Sequence, residues 1–200
     1  MKKVFGLLFV GLLILVMAGP AAASYTFEFG SGSTFTGAAL SDPGLAMSAT
    51  VNDLDGYTFT LNDGGSWTGE FATIGTTEHV INPDDIIARE ITAWVDFDDP
   101  DLTAAIGGSS VGFQGWFIAT FSGWEITWYD PVDLNFGAGT ISLDLADLTY
   151  WNIGGDPSGC KKLDLTVTYH EASQVPVPAA VWLLGSGLVG LAGLRRKFRA

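Results

Sequence analysis

The 200 residues suit one main domain with terminal segments. All 22 acidic residues lie between Glu28 and Glu171, with only Arg89, Lys161 and Lys162 among them, so this stretch carries a net −19. A body that acidic is repelled by nucleic acid and by anionic lipid heads, stays soluble and attracts cations; the plainer reading of the charge is a solvated surface with no partner. Cys160 is the single cysteine, so no intrachain disulfide can form. The fold must rest on its core, which about 150 residues rich in Trp and Phe can supply.

The chain opens with Lys2 and Lys3, followed by an unbroken apolar stretch from Val4 to Ala18. Gly19 and Pro20 break that stretch, and Ala21, Ala22 and Ala23 supply the small residues that signal peptidase requires. Residues 1–23 therefore read as a secretory signal peptide, cut between Ala23 and Ser24. An uncleaved anchor fits less well, because the apolar run is short and ends in a breaker.

From residue 24 to residue 173 the texture is that of strands and turns. Aromatic and β-branched residues cluster between Gly, Asp, Asn and Pro. Ile91, Ala93, Val95 and Phe97 alternate with Glu90, Thr92, Trp94 and Asp96. Ile141, Leu143 and Leu145 oppose Ser142, Asp144 and Ala146, and Leu163, Leu165, Val167 and Tyr169 oppose Asp164, Thr166, Thr168 and His170. Period two means one buried face and one wet face. The runs 57–61, 111–121 and 124–129 add further strands. The best helical window, 84–89, is brief and runs into a strand. The expected fold class is all-β: a single antiparallel β-sandwich, jelly-roll-like in its connections, exported as an ectodomain.

Within this body no zinc-protease motif, phosphate loop or Cys/His zinc spacing occurs. Cys160 stands beside Lys161 and Lys162, whose charge favours a thiolate, yet nothing in the sequence ties His79 or His170 to it. Glu70, Glu125 and Asp130 lie near tryptophans, a coincidence that an acidic β-protein shows anyway. The body is expected to be no enzyme and to hold no obligatory cofactor. The run 96–101 gathers Asp96, Asp98, Asp99 and Asp101 at a strand end and turn. Calcium takes several oxygen ligands from such loops, so these four are the candidate calcium ligands; the plainer reading is a solvated acidic turn. Asn52-Asp53-Leu54-Asp55-Gly56 is a weaker candidate, too short for an EF-hand loop. Trp94 falls on the wet side of its strand and is the candidate glycan contact, although most tryptophans enter the core.

Residues 174–178 read as a linker, and Ala179 to Leu194 carries no charge. Sixteen residues at about 1.5 Å each span roughly 24 Å, a little less than the bilayer core. Trp182 marks one interface and the basic cluster Arg195, Arg196, Lys197 and Arg199 the other, which leaves the acidic body facing outward. Residues 174–200 are therefore expected to include a short C-terminal transmembrane helix. Gly185, Gly187, Gly190 and Gly193 leave one side of that helix with little bulk.

The motif Val175-Pro176-Val177-Pro178, the glycine-rich apolar helix with its Trp, and the terminal arginine cluster follow one another in an order that resembles the PEP-CTERM sorting signal. Val177 stands where the family's name-giving motif has Glu, as in its VPxPA variants. The resemblance implies an exosortase, a membrane transpeptidase-like protease of Gram-negative bacteria that make exopolysaccharide. It further implies a transient inner-membrane stage, cutting near the Pro-x-Pro motif, and release to the cell surface or biofilm matrix. The body then has three readings: a structural or interaction protein, a carbohydrate-binding module, or a secreted hydrolase. A permanently membrane-anchored periplasmic domain is the alternative to processing.

Overall fold

The computed structural model describes residues 24–116 and 119–172. Where hydrophobic residues alternate, the chain buries one side of a strand and wets the other. Ile91, Ala93, Val95 and Phe97 are all at most 1% exposed, as are Leu163, Leu165, Val167 and Tyr169. Twelve strands form among the described residues: β1 (Ser24–Phe29), β2 (Thr34–Thr36), β3 (Met47–Val51), β4 (Thr58–Asn62), β5 (Ser66–Thr76), β6 (Arg89–Asp99), β7 (Leu102–Trp116), β8 (Thr120–Trp128), β9 (Val132–Phe136), β10 (Gly139–Leu145), β11 (Leu148–Ile153) and β12 (Gly159–Glu171). The larger sheet runs β11-β8-β7-β6-β1-β4, with β2 also pairing β6, and the smaller runs β3-β5-β12-β10-β9. Every pairing is antiparallel.

The sheets close face to face over one hydrophobic core. Rings from both layers meet there: Phe29 with Trp67 at 5.3 Å, Tyr25 with Phe136 at 5.0 Å, and Phe27 with Tyr169 at 5.7 Å between centroids. Such tilted and edge-on pairs place the positive rim of one ring against the negative face of another.

One reading of the strand pattern is corrected, and one strand was not read at all. The run 111–121 is not one strand but the end of β7 at Trp116 and the start of β8 at Thr120, which pair with each other. No Gly, Pro, Asn or Asp separates Trp116 from Thr120, so the sequence carries no signal that one strand ends and another begins. The alternation of β5 was hidden by a bulge. Phe71 is the extra residue between partners Glu70↔Asp164 and Ala72↔Leu163, and both Phe71 and Ala72 are fully buried. The window 84–89 forms a hydrogen-bonded turn, with Ile87 N–H donating to Asp84 C=O at 3.3 Å, and leads into β6.

Both ends of the described body leave at one end of the sandwich. Ser24 pairs with Asn62, while Glu171 N–H donates to Asp63 Oδ1 at 2.9 Å and Ala172 N–H to Ala138 C=O at 3.0 Å. β12 begins at the opposite end, where Gly159 pairs with Thr76.

Phe29 contacts the rings of Tyr57, Phe59, Trp67 and Phe97. Phe29→Ala is expected to cost about 3–5 kcal/mol in urea unfolding. Thr149→Ala, on the exposed side of β11, should stay within about 0.5 kcal/mol.

Candidate functional site

The outer face of the larger sheet is built from cross-strand rows. Thr36, Thr92 and Gly107 form one row, continued by Tyr129, whose N–H donates to Gly107 C=O at 2.9 Å. Glu90, Ser109 and Thr127 form the next, then Val111, Glu125 and Thr149. Phe113, Gly123 and Trp151 follow, and Gly115, Phe121 and Ile153 close the face.

Glycine lets aromatic rings lie flat in these rows. A Cβ on Gly107 would stand 3.0 Å from the Tyr129 ring, and one on Gly123 2.9 Å from the Phe113 ring. Trp94 lies one residue pair beyond the first row and reaches over β2, its Nε1 donating to Thr36 Oγ1 at 2.9 Å. Exposure is 37% for Trp94, 57% for Tyr129 and 62% for Trp151. Trp116, at the end of β7, is 78% exposed. Rings of this size are more often buried, so a group of them on one wet face is the feature that sets this sheet apart. Trp124 and Trp128 take the ordinary fate and enter the core, and Trp67 is half-buried against it.

Trp94 is thus exposed on the wet side of β6, where the alternation put it. Tyr129 was missed, since it follows the end of β8 and no pattern shows that its ring folds back over Gly107. Trp151 was missed as well, because only pairing between β8 and β11 brings it beside Gly123. Glu70 and Glu125 do not meet: Glu70 is in the smaller sheet and Glu125 in the larger.

Asp96 and Asp98 project beside the Gly30–Gly32 turn. The oxygens of Asp96 are both occupied, Oδ2 by Gly32 N–H and Oδ1 by the Thr103 hydroxyl, each at 2.9 Å. The Tyr25 hydroxyl donates to Asp99 Oδ1 at 2.6 Å. The same turn borders a hollow of about 290 Å³ whose other side includes Asn52, Asp53 and Asp55. The two acidic segments, separate in sequence, therefore share one neighbour. Among the described residues no group of three or more His, Cys, Asp or Glu side chains is placed to hold a metal ion.

On the smaller sheet a second arrangement appears that the sequence did not reveal. A cavity of about 530 Å³ has both Cys160 and His79 in its wall. His79 Nδ1 stands 3.2 Å from each carboxylate oxygen of Asp156. Hydrogen bonds from Ser158, and then from His79, hold the Asp156 carboxyl below the usual carboxylate range. The His79 and Asp156 side chains are 73% and 45% exposed, so water screens their pair heavily. Lys162 pairs with Glu70 on the same sheet, which raises the ammonium and lowers the carboxyl.

Ser24 is the first residue of β1 and exposed. Ala21, Ala23, Val175, Pro176, Val177, Pro178, Arg195, Arg196, Lys197 and Arg199 lie outside the described residues, as does the expected transmembrane helix; among the described residues no helix is long and apolar enough to cross a membrane. The sorting reading is decided by comparison instead. Residues 174–197 match the PEP-CTERM protein-sorting motif. The PEP-CTERM match begins two residues after Ala172, the last described residue of the body. It implies processing by an exosortase membrane enzyme and membrane-associated sorting toward the cell surface or extracellular space. No curated protein and no solved structure matches the chain.

Beside the acidic turn, the hydrogen bond to Asp99, followed by burial, pushes the Tyr25 phenol up from 10.0 to about 12. A raised phenol favours the neutral form in the fold, so its contribution is complete below pH 10.0 and is lost as pH rises toward about 12. Urea midpoints across that window should fall less steeply for Tyr25→Phe than for the wild type.

Proposed function

We propose that the chain is an exported, non-catalytic surface or biofilm-matrix protein that exosortase processing delivers, and that its body binds polysaccharide through the outer face of the larger sheet. The observation that carries the sorting half is the sorting motif, which starts just beyond the last strand. β12 makes its final ladder bonds by Glu171, and Ala172 closes the last backbone bond to Ala138. Cutting near Pro176 or Pro178 therefore removes no strand, and the body is released intact. Both described ends of the body lie at one end of the sandwich, and Trp116 lies at the other.

The carbohydrate-binding reading is favoured over a purely structural role by Trp94 and Tyr129. Sugar rings offer faces of slightly positive C–H groups, which suit the negative face of an aromatic ring, while Thr92 and Ser109 supply hydroxyl partners. A hydrolase reading built on Cys160 and His79 is less favoured, because Cys160 is exposed and the His79 side chain is 73% exposed, without the dry, enclosed setting that strengthens catalytic electrostatics.

Intact mass, measured in cells with and without the exosortase, tests the route. The expected product runs from Ser24 to a residue near Pro178 only when the enzyme is present. A mass that retains Arg195 to Ala200 in both strains would instead make the segment a permanent anchor.

A further inference from the structure

The outer face of the larger sheet carries charge of one sign. Glu90 lies beside Ser109 and Thr127, Glu125 lies between Val111 and Thr149, and Asp96 follows Trp94 along β6. The three cations of the described body lie elsewhere. Lys161 and Lys162 belong to β12 of the smaller sheet, and Arg89 sits on the inward-facing side of β6, its Nε 2.9 Å from where a Cβ on Gly44 would be. The face thus offers rings, hydroxyls and carboxylates, with no basic side chain to receive an anion.

The two rings nearest this acidic zone are also spaced for a chain rather than a single sugar. The Tyr129 ring covers Gly107 on β7, and the Trp94 indole reaches Thr36 on β2, with β6 and its Thr92 between them. That places them one to two strand spacings apart, roughly 5–10 Å. A monosaccharide would engage one ring, whereas consecutive sugars of one chain would engage both and pass the Thr92 hydroxyl.

On the glycan-binding reading above, on which this rests, we infer that the ligand is an extended polysaccharide that is uncharged or amine-bearing, and that chains bearing carboxylate or sulfate are rejected. Two features act together. Stacking on Trp94 and Tyr129 is indifferent to ligand charge and supplies the affinity. Glu90, Glu125 and Asp96 attract ammonium groups and repel anions, which sets the selectivity and makes it salt-dependent.

The test applies the full chain, purified in detergent, to columns of an uncharged β-glucan, chitosan and alginate at low and high salt. Retention is expected on the first two, with salt weakening only the chitosan interaction, while alginate passes through. Glucan oligomers should elute the protein and glucose should not. Trp94→Ala and Tyr129→Ala should each weaken glucan binding about tenfold. The second variant guards against loss of β2 in the first, because the Trp94 indole is bonded to Thr36, and near-UV circular dichroism checks that both remain folded. Glu90→Gln combined with Glu125→Gln should weaken chitosan binding and leave glucan binding unchanged. Alginate retention equal to that on glucan, and lost in Trp94→Ala, would overturn the charge selectivity and leave the glycan-binding reading standing. A folded chain retained on none of the three columns overturns both. Glucan retention untouched by either aromatic substitution overturns this face as the site.

Discussion

Phe29 and the rings around it are the contact on which the two sheets depend. It stacks on Phe97 at 4.8 Å within its own sheet and meets Trp67 of the other at 5.3 Å. With one cysteine there is no covalent clasp between the layers, so apolar burial must do what disulfides do in many small exported domains. Each inward residue of β6 and β12 serves that end, and the strict alternation along both strands follows from it.

Committing one side of every strand to the core leaves the other side to meet water. On the smaller sheet that wet side is conventional: Ser66 bonds Thr168, Thr68 bonds Thr166, and Lys162 pairs with Glu70. On the larger sheet it is not, since Trp94 stands there exposed, and Tyr129, Phe121 and Trp151 stand exposed beside glycines. Exposed rings contribute little to folding, and glycines within strands cost stability. That cost is the reason the glycan-binding proposal rests on this face.

The two halves of the functional reading were legible to different degrees. The C-terminal sorting motif was plain, because its prolines, apolar length and basic cluster act locally and a processing enzyme reads them as linear text. Trp94 was legible too, since period two alone puts it opposite Val95. Tyr129 and Trp151 were not, because their place on the face depends on which strands pair. His79 and Asp156 were equally silent, brought together only when the 77–88 loop and the 154–158 turn meet at one end of the sandwich.

By itself the sequence determined the C-terminal sorting motif, the all-β class, the inward faces of β6, β10 and β12, and that no intrachain disulfide can form. These rest on composition, period and spacing, which need no knowledge of neighbours. Tertiary structure decided where β7 gives way to β8, that Phe71 bulges out of β5, and that the rings of β6, β8 and β11 share one acidic surface. Each of those is a property of strand register, and register is set by partners distant in the chain.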